Sequence, residues 1–411
     1  MKSRINALVL ELCPDGVEKK TLEECCIILD KKRKPVTKAA REAGEYPYYG
    51  ANGIQDYVSD YLFDGTFVLV GEDGSVITKA GTPVVTWATG KIWVNNHAHI
   101  ISEKDGVLLR YLYHYLQTID ISPLIHGNIP KLTGGDFRNL TIAVPPVPVQ
   151  REIVRILDNF AELTAELTAE LTARKKQYEF YRDKLLTYKN STKHGKIIDM
   201  LAQPITDGPH TTPKLVDSGV PFLSAEAIYD GRIHFEKKRG FITEEFDSEC
   251  CKKYKPQKND VFMVKSGSTT GKVGFVDTDI RFNIWSPLAA MRTNENNSPR
   301  FLFHLLQSES IQKQVQAKAS HGSQPNLSMR ALEQFDVVIP SLEVQQRIAN
   351  VLDNFDSICS DLNIGLPAEI EARKKQYEYY RDMLLTFAAA DDIILTDRQT
   401  DRQTDRQTEH N

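Results

Sequence analysis

Bond-making chemistry would first be sought at residues 267–273, Gly-Ser-Thr-Thr-Gly-Lys-Val, because glycines followed by a lysine can cradle a phosphate. The spacing is one residue short of a phosphate loop, and Val273 stands where a magnesium-binding hydroxyl is needed, so nucleotide binding is not expected there. The chain has no HExxH, no GxSxG and no strand-linked GxGxxG, and its only Pro-Pro pair lies in Val144-Pro145-Pro146-Val147, which rules out the Asn/Asp-Pro-Pro-aromatic signature of amino-methyltransferases. His126 and His321 occupy matching places in an internal repeat, but no acid or nucleophile is repeated beside them, so they read as structural or as facing a nucleic acid. Six cysteines include two adjacent pairs, Cys25-Cys26 and Cys250-Cys251, without a CxxC or zinc spacing, and read as free thiols. No catalytic residue, no metal site and no cofactor of its own is expected.

What remains is chemistry for holding charge. Lys31, Lys32, Arg33, Lys34, Lys38 and Arg41 form one basic block, and Lys237, Lys238, Arg239, Lys252, Lys253 and Lys255 another, although the net charge of -4 argues against a generic polyanion binder. Either block alone would read as solvated surface.

The frame for these groups is duplicated. Ala-Arg-Lys-Lys-Gln-Tyr-Glu-x-Tyr-Arg-Asp-x-Leu-Leu-Thr occurs at residues 173–187 and again at 372–386, and VQREIVRILDNF at 149–160 matches VQQRIANVLDNF at 344–355. The second copy carries four extra residues between these blocks, one helical turn. The match extends upstream through His126-Gly127, Pro130 and Leu132 against His321-Gly322, Pro325 and Leu327. Val149, Ile153, Ile156, Leu157, Phe160, Leu163, Leu167 and Leu171 recur at steps of three and four, which predicts one amphipathic helix from the proline-rich 144–148 to about Tyr188, roughly 60 Å long. The second copy has the same stripe until Gly365 and Pro367, where a break is expected. Two such stripes most economically pack on each other, antiparallel or nearly so. The preceding segments alternate short β-like runs with Gly/Asn/Asp turns: 67–70, 83–87 and 92–94 in the first, 221–224, 261–265 and 273–276 in the second. Each also carries a short helix, near 108–116 and 301–306. The expected fold is therefore α/β: two α/β domains joined by two long, antiparallel coiled-coil-like helical regions in an internal pseudo-twofold repeat. Boundaries are 1–144 for the first domain, 145–190 for its helical spacer, 191–339 and 340–390 for the second pair, and 391–411 for a tail.

Two short repeats stand apart. Residues 161–172 read AELT three times, an adjustable helical spacer whose length changes by about 6 Å per unit. Residues 397–408 read DRQT three times, polar and without an apolar face, hence expected to be disordered. DRQT can be encoded by the tetranucleotide GACA read through all its frames, so a slippage-prone tract at the gene's end is hypothesised; synonymous codons breaking that period would sink it. Composition is otherwise that of a soluble globular protein, with 41% hydrophobic and 26% charged residues in 411. No apolar run approaches the roughly 20 residues of a membrane span and no secretion signal opens the chain, so a cytoplasmic location is expected.

Unlike globular segments followed by near-identical helices resemble the specificity subunit of type I restriction-modification systems. The likeness rests on the doubled ARKKQYE-x-YRD block, Gly-Leu-Pro-Ala-Glu-Ile-Glu from Gly365, the IxDGxHxTPK-like run from Ile205 to Lys214, and NDVFMVKSGSTTGKVG from Asn259; the DRQT tail is not a family feature. The resemblance implies two target recognition domains, each reading half of a split site in double-stranded DNA, and helices that set their separation and dock two adenine methyltransferase subunits. Restriction subunits would join through that complex, with no membrane involved. S-adenosylmethionine, ATP and magnesium would belong to those partners. Phosphate contacts would then come from Lys31, Lys32, Arg33, Lys34, Lys265 and Lys272. Base reading would come from Tyr49, Asn52, Asn128 and Lys131 in the first domain, and from His210, Thr211, Thr212, Ser268, Thr269, Ser323, Gln324 and Asn326 in the second. The partner surface would be Arg174, Lys175, Tyr178, Tyr181 and Arg182 with Arg373, Lys374, Tyr377, Tyr380 and Arg381; the alternative is that these tyrosines pack one helix on another. A coiled-coil scaffold that never touches DNA is the competing reading, and a nuclease a third, for which no carboxylate-lysine cluster stands out.

Overall fold

Continuous buried runs, at 67–71 and 98–101, build the first domain around strands that are covered on both faces. The computed structural model describes residues 2–125, 129–187, 193–320, 324–360 and 365–387, so the DRQT tail lies outside the described residues. From the N-terminus come helix α1 (Lys2–Leu12), strand β1 (Lys19–Thr21), helix α2 (Leu22–Cys25) and strands β2 (Ile27–Ile28), β3 (Ala43–Gly50), β4 (Gly53–Val58), β5 (Phe63–Gly71), β6 (Val85–Val94) and β7 (Ala98–Ser102). Helix α3 (Leu109–Leu116), helix α4 (Gly134–Arg138) and strand β8 (Thr141–Ala143) close the domain. β2 to β7 form one six-stranded sheet in the order β2-β7-β5-β6-β3-β4. Along β5, Val68 and Val70 enter the core shared with α3, while Phe67 and Leu69 enter a second core on the opposite face. Residues 85–87 and 92–94 belong to one strand, β6, because the glycine that breaks its pattern, Gly90, still pairs across to Gly65, while Pro83 bridges to Ile77 outside it.

The second domain repeats this plan with shorter strands. Its elements are β9 (Lys193–Lys196), β10 (Thr206–Asp207), β11 (Val220–Leu223), β12 (Ile228–Tyr229), β13 (Arg232–Ile233), β14 (Gly240–Ile242), helix α6 (Glu244–Lys253), β15 (Val261–Val264), β16 (Val273–Phe275), β17 (Asn283–Ile284) and β18 (Leu288–Met291). Helices α7 (Pro299–Gln307), α8 (Glu309–Lys318) and α9 (Met329–Glu333) and strand β19 (Asp336–Ile339) follow. The sheet β10-β18-β15-β16 is the counterpart of β2-β7-β5-β6, and β15 again splits Val261 and Met263 from Phe262 and Val264 between two cores. In both domains an antiparallel clasp joins the two ends: β1 to β8, with Lys19 opposite Ala143, and β9 to β19, with Lys193 opposite Ile339.

The spacers are helix α5 (Val147–Leu186), 40 residues long, and helices α10 (Leu342–Ser360) and α11 (Leu366–Leu385), separated where Gly365 and Pro367 predict a break. The chain divides into two compact units, Met1–Glu166 with Glu371–Asn411, and Leu167–Ile370. The first boundary falls inside the AELT repeats. Val149, Ile153, Ile156 and Leu157 are buried, and the stripe continues more weakly through half-buried Phe160, Leu167 and Leu171, with Leu163 44% exposed. A four-residue period drifts about 40° per repeat on a helix of 3.6 residues per turn, so the AELT leucines do not hold one fully buried line. Among the described residues no helix is long and apolar enough to cross a membrane.

Candidate nucleic-acid interface

Each domain stitches the loop after its central strand to the Pro-x-Leu of its HG segment, with the same backbone bonds. In the first, Gly74 N–H donates to the Pro130 carbonyl (3.0 Å) and Leu132 N–H to Glu72 (2.8 Å), around an Asp73–Lys131 bridge. In the second, Gly267 N–H donates to Pro325 (2.9 Å) and Leu327 N–H to Lys265 (2.8 Å), around Ser266–Asn326. Glu72 and Lys265 therefore hold the same place on one scaffold with opposite charge. Thr270 Oγ1 adds a bond to the Gly267 carbonyl (2.7 Å), so GSTTGKV is a tight turn supported from beneath and not a phosphate loop.

A carboxylate lies beneath each stitched loop. Asp30 follows β2 opposite β7: its Oδ2 is 2.7 Å from His99 Nδ1, and its Oδ1 accepts from Ile100 N–H (3.0 Å). Arg33, three residues on, donates to Glu72 (2.6 Å) and to the Ala98 carbonyl (2.6 Å). Burial raises the Asp30 carboxyl, but the His99 hydrogen bond and neighbouring charges outweigh it and hold it below its ordinary range. In the second domain Asp207, paired with Ala289 of β18, meets His210 three residues on, together with Lys253 and Lys265. Gly208 makes this turn possible: a Cβ there would fall 1.8 Å from the Ile284 carbonyl oxygen.

The expected readers fall into three groups. Lys31, Lys32 and Lys34 are exposed, as are Thr211, Thr212, Ser268, Lys272, Gln324 and Asn326, while Thr269 is half-buried. Of the second-domain set, Ser268, Thr269, Lys272, Gln324 and Asn326 lie on or next to the stitched loop and the segment it pairs with, whereas His210, Thr211 and Thr212 follow Asp207. Asn52 and Lys131 line one cavity of about 610 Å³ with Gln55, Asp73 and His97. Two expectations are corrected. Tyr49 is 7% exposed and packs in the core with Phe63 and Ile92, and burial raises its hydroxyl pKa. The Arg33 guanidinium is spent on Glu72, Asp30 and Ala98 and has little surface left for a phosphate. Asn128 and Ser323, with His126 and His321, lie outside the described residues. Asp30, Glu72, Asp207, Gln55 and His97 were not legible as site residues, because a single carboxylate or amide carries no spacing signal. The doubled Ile-x-Asp at 28–30 and 205–207 was the available clue.

The repeated helix block enters the units crosswise. In the first unit His114 Nε2 contacts Asp158 (2.8 Å), Arg110 also bonds Asp158 (2.8 Å), and His114 Nδ1 bonds the hydroxyl of Tyr377, which comes from the second repeat (2.9 Å). In the second unit His304 Nε2 contacts Asp353 (2.7 Å), Arg300 bonds Asp353 (2.7 Å), and Tyr178 of the first repeat bonds His304 Nδ1 (2.9 Å). Phe160 stacks on Tyr380 at 5.1 Å and Phe355 on Tyr181 at 5.7 Å. Tyr178, Tyr377 and Tyr380 thus serve inside the units, which corrects their reading as free partner contacts, while Tyr181 stacks on Phe355 and is still 41% exposed. Burial pushes the Tyr377 hydroxyl up to about 12 and raises Tyr178 further. Arg182 and Arg381 are half-buried over Tyr178 and Tyr377, Arg174 pairs with Glu170, Arg373 donates to Gln376, and Lys175 and Lys374 are exposed. Phe180 and Tyr379, at the variable position of the block, are largely exposed. A buried glutamine completes each unit: Gln150 donates to the Pro145 carbonyl (2.7 Å) and Gln345 to that of Pro340 (2.9 Å).

Burial lowers both His114 and His304, against the upward pull of Asp158 and Asp353. The folded state thus holds neutral imidazoles, and the unfolded chain binds more protons once pH falls below the ordinary 6.5. Stability is accordingly full above that value and declines as pH falls through it. The melting temperature should drop between about pH 7 and pH 5.5, and the H114N/H304N double variant, less stable at neutral pH, should lose that slope. An unchanged slope would reject these histidines as its source.

Two segments, 14–174 and 208–372, match the family described as the type I restriction modification DNA specificity domain. The chain belongs to this family. A Haemophilus influenzae protein named as a type I restriction enzyme specificity subunit is 35% identical over 93% of this chain and 99% of its own length. An Escherichia coli type I restriction enzyme specificity subunit is 31% identical over 71% of this chain and 74% of its length. The specificity-subunit fold is shared with the type I S subunit of M. genitalium, at a TM-score of 0.55 and 16% identity, over 90% of this chain and 96% of that one.

Proposed function

We propose that this specificity subunit reads a bipartite double-stranded DNA site, one half with each recognition domain, while its helical spacers fix the gap and dock two adenine methyltransferase subunits. The carrying observation is the pair of stitched loops: one backbone scaffold, used twice, presents the carboxylate of Glu72, paired with Arg33, in one domain and the ammonium of Lys265, paired with Asp207, in the other. Identical supports with unlike side chains suit two different half-sequences, since phosphate contacts position a protein while side chains at base edges specify. The reciprocal Phe160–Tyr380 and Phe355–Tyr181 stacks support spacers running beside one another in opposite directions, as a coiled-coil-like pair. Exposed Phe180, Lys175, Tyr379 and Lys374 recur at matched positions and suit two copies of one partner. S-adenosylmethionine, ATP and magnesium are assigned to the methyltransferase and to the restriction subunits that join through it. The whole assembly works in the cytoplasm, where the DNA is.

Selection from a random duplex pool by the chain bound to its methyltransferase tests this. Enrichment of two unlike short motifs at a fixed gap, with affinity falling steeply with salt, is the expected result; binding without enrichment would leave the chain a scaffold.

A further inference from the structure

Asp207 is fully buried, yet its carboxylate gathers two ammonium groups and an imidazole. Lys253 Nζ bonds Oδ1, while His210 Nε2 and Lys265 Nζ lie 3.1 and 3.3 Å from Oδ2. The contacts at Oδ2 are off the hydrogen-bond direction, and that oxygen accepts no directed bond among the described residues. It is held by charge alone, so the cations around it can re-aim without breaking a bond network. Side-chain exposure rises outward, from 11% for Lys265 to 51% for Lys253 and 71% for His210.

The corresponding cluster in the first domain shows that this imbalance is no requirement of the scaffold. There Asp30 and Glu72 face the nearly buried Arg33 and the more exposed Lys131, with His99 against Asp30, so two carboxylates match two fixed cations. In the second domain the place of Glu72 is taken by Lys265, and Lys253 is added from the last turn of α6. One carboxylate against two lysines leaves positive charge at a partly open surface beside the stitched loop.

We infer that Lys253, Lys265 and His210 form a clamp for one backbone phosphate of the DNA half-site read by the second domain, with buried Asp207 as its positioning residue. This rests on the DNA-reading function proposed above and assigns roles to Lys253 and Asp207 that basic-block composition alone does not. An anion entering between the two ammonium groups and the imidazole completes their charge balance, and the fixed clamp sets the register in which Ser268, Thr269 and Asn326 meet base edges.

The test uses the full-length chain with its methyltransferase and the bipartite duplex that it selects. K253A, with its melting temperature measured alongside because Lys253 hydrogen-bonds the buried Asp207, should weaken binding to all sequences alike and reduce the slope of log K against log salt by about 0.9, the value of one phosphate contact. K253R should restore it. D207N should cut preference for the second half-site by about tenfold or more, within the range of one misread base pair, while preference for the first stays unchanged. A full salt slope in K253A overturns the clamp, as does a D207N protein that loses preference at both half-sites equally. If the wild-type complex selects no bipartite duplex, the DNA-reading function falls and the clamp with it; if it does and K253A keeps its slope, the clamp alone falls.

Discussion

Deleting residues 165–168, one AELT unit, shortens the DNA gap between the half-sites by one base pair and leaves both half-sequences as they were. The unit lies where the chain passes from one compact unit to the other, in a helical stretch that is largely exposed and buries no core residue. Four residues remove about 6 Å of rise and about 400° of winding, a net rotation of about 40°. One base pair supplies about 3.4 Å and, at 10–10.5 pairs per turn, about 35°. Rotation decides the count, because a second base pair would require about 70° and would turn one domain's reading loop off its groove, whereas the 2–3 Å of surplus shortening, about that much by the same arithmetic, can be taken up by gentle bending. Gap preference in a duplex library carrying both half-sites at every spacing measures this. Altered half-sequences, or an unchanged gap, would count against the spacer role of α5.

Exchanging residues 21–140 for the same region of a relative changes one half-site and spares the other. The β1–β8 clasp brings these ends together, and Leu22 N–H donates to the Leu140 carbonyl at 2.8 Å, so the segment enters and leaves at one point. Its removal leaves the Tyr178–His304–Asp353 lock of the other unit untouched. With about 1–3 kcal/mol per mismatched pair, the original half-site should lose at least about tenfold in binding, while the second keeps its preference. Simultaneous change in both halves would show that the domains do not read independently.

The parts of the fold governed by local pattern were legible in the sequence. The 40-residue α5 follows from the three-and-four spacing of Val149, Ile153, Ile156 and Leu157, and the break before α11 from Gly365 and Pro367. The strand pairs β5/β6 and β15/β16 follow from their β-branched runs, although Gly90 made one strand look like two. Helix α1 places Ile5 and Val9 in the first core by the same helical spacing. What sequence could not yield was long-range pairing. Tyr178 and Tyr377 are identical in context, and only the folded chain shows that each docks beside the histidine of the domain that does not immediately precede its helix. The same limit applies to Asp30 and Asp207: each looks like an ordinary strand-end acid until β7 brings His99, or the end of α6 brings Lys253, to it. Charge blocks misled in part for this reason, since Arg33 belongs to a basic run by sequence and to a closed ion-pair network by structure.

Mapping adenine methylation across the genome of a host that expresses this chain with its methyltransferase tests the two-reader account most directly. The account predicts modification at a split motif, two unlike short sequences at one fixed spacing, with one methylated adenine in each half on opposite strands. Methylation confined to a single uninterrupted motif would contradict it.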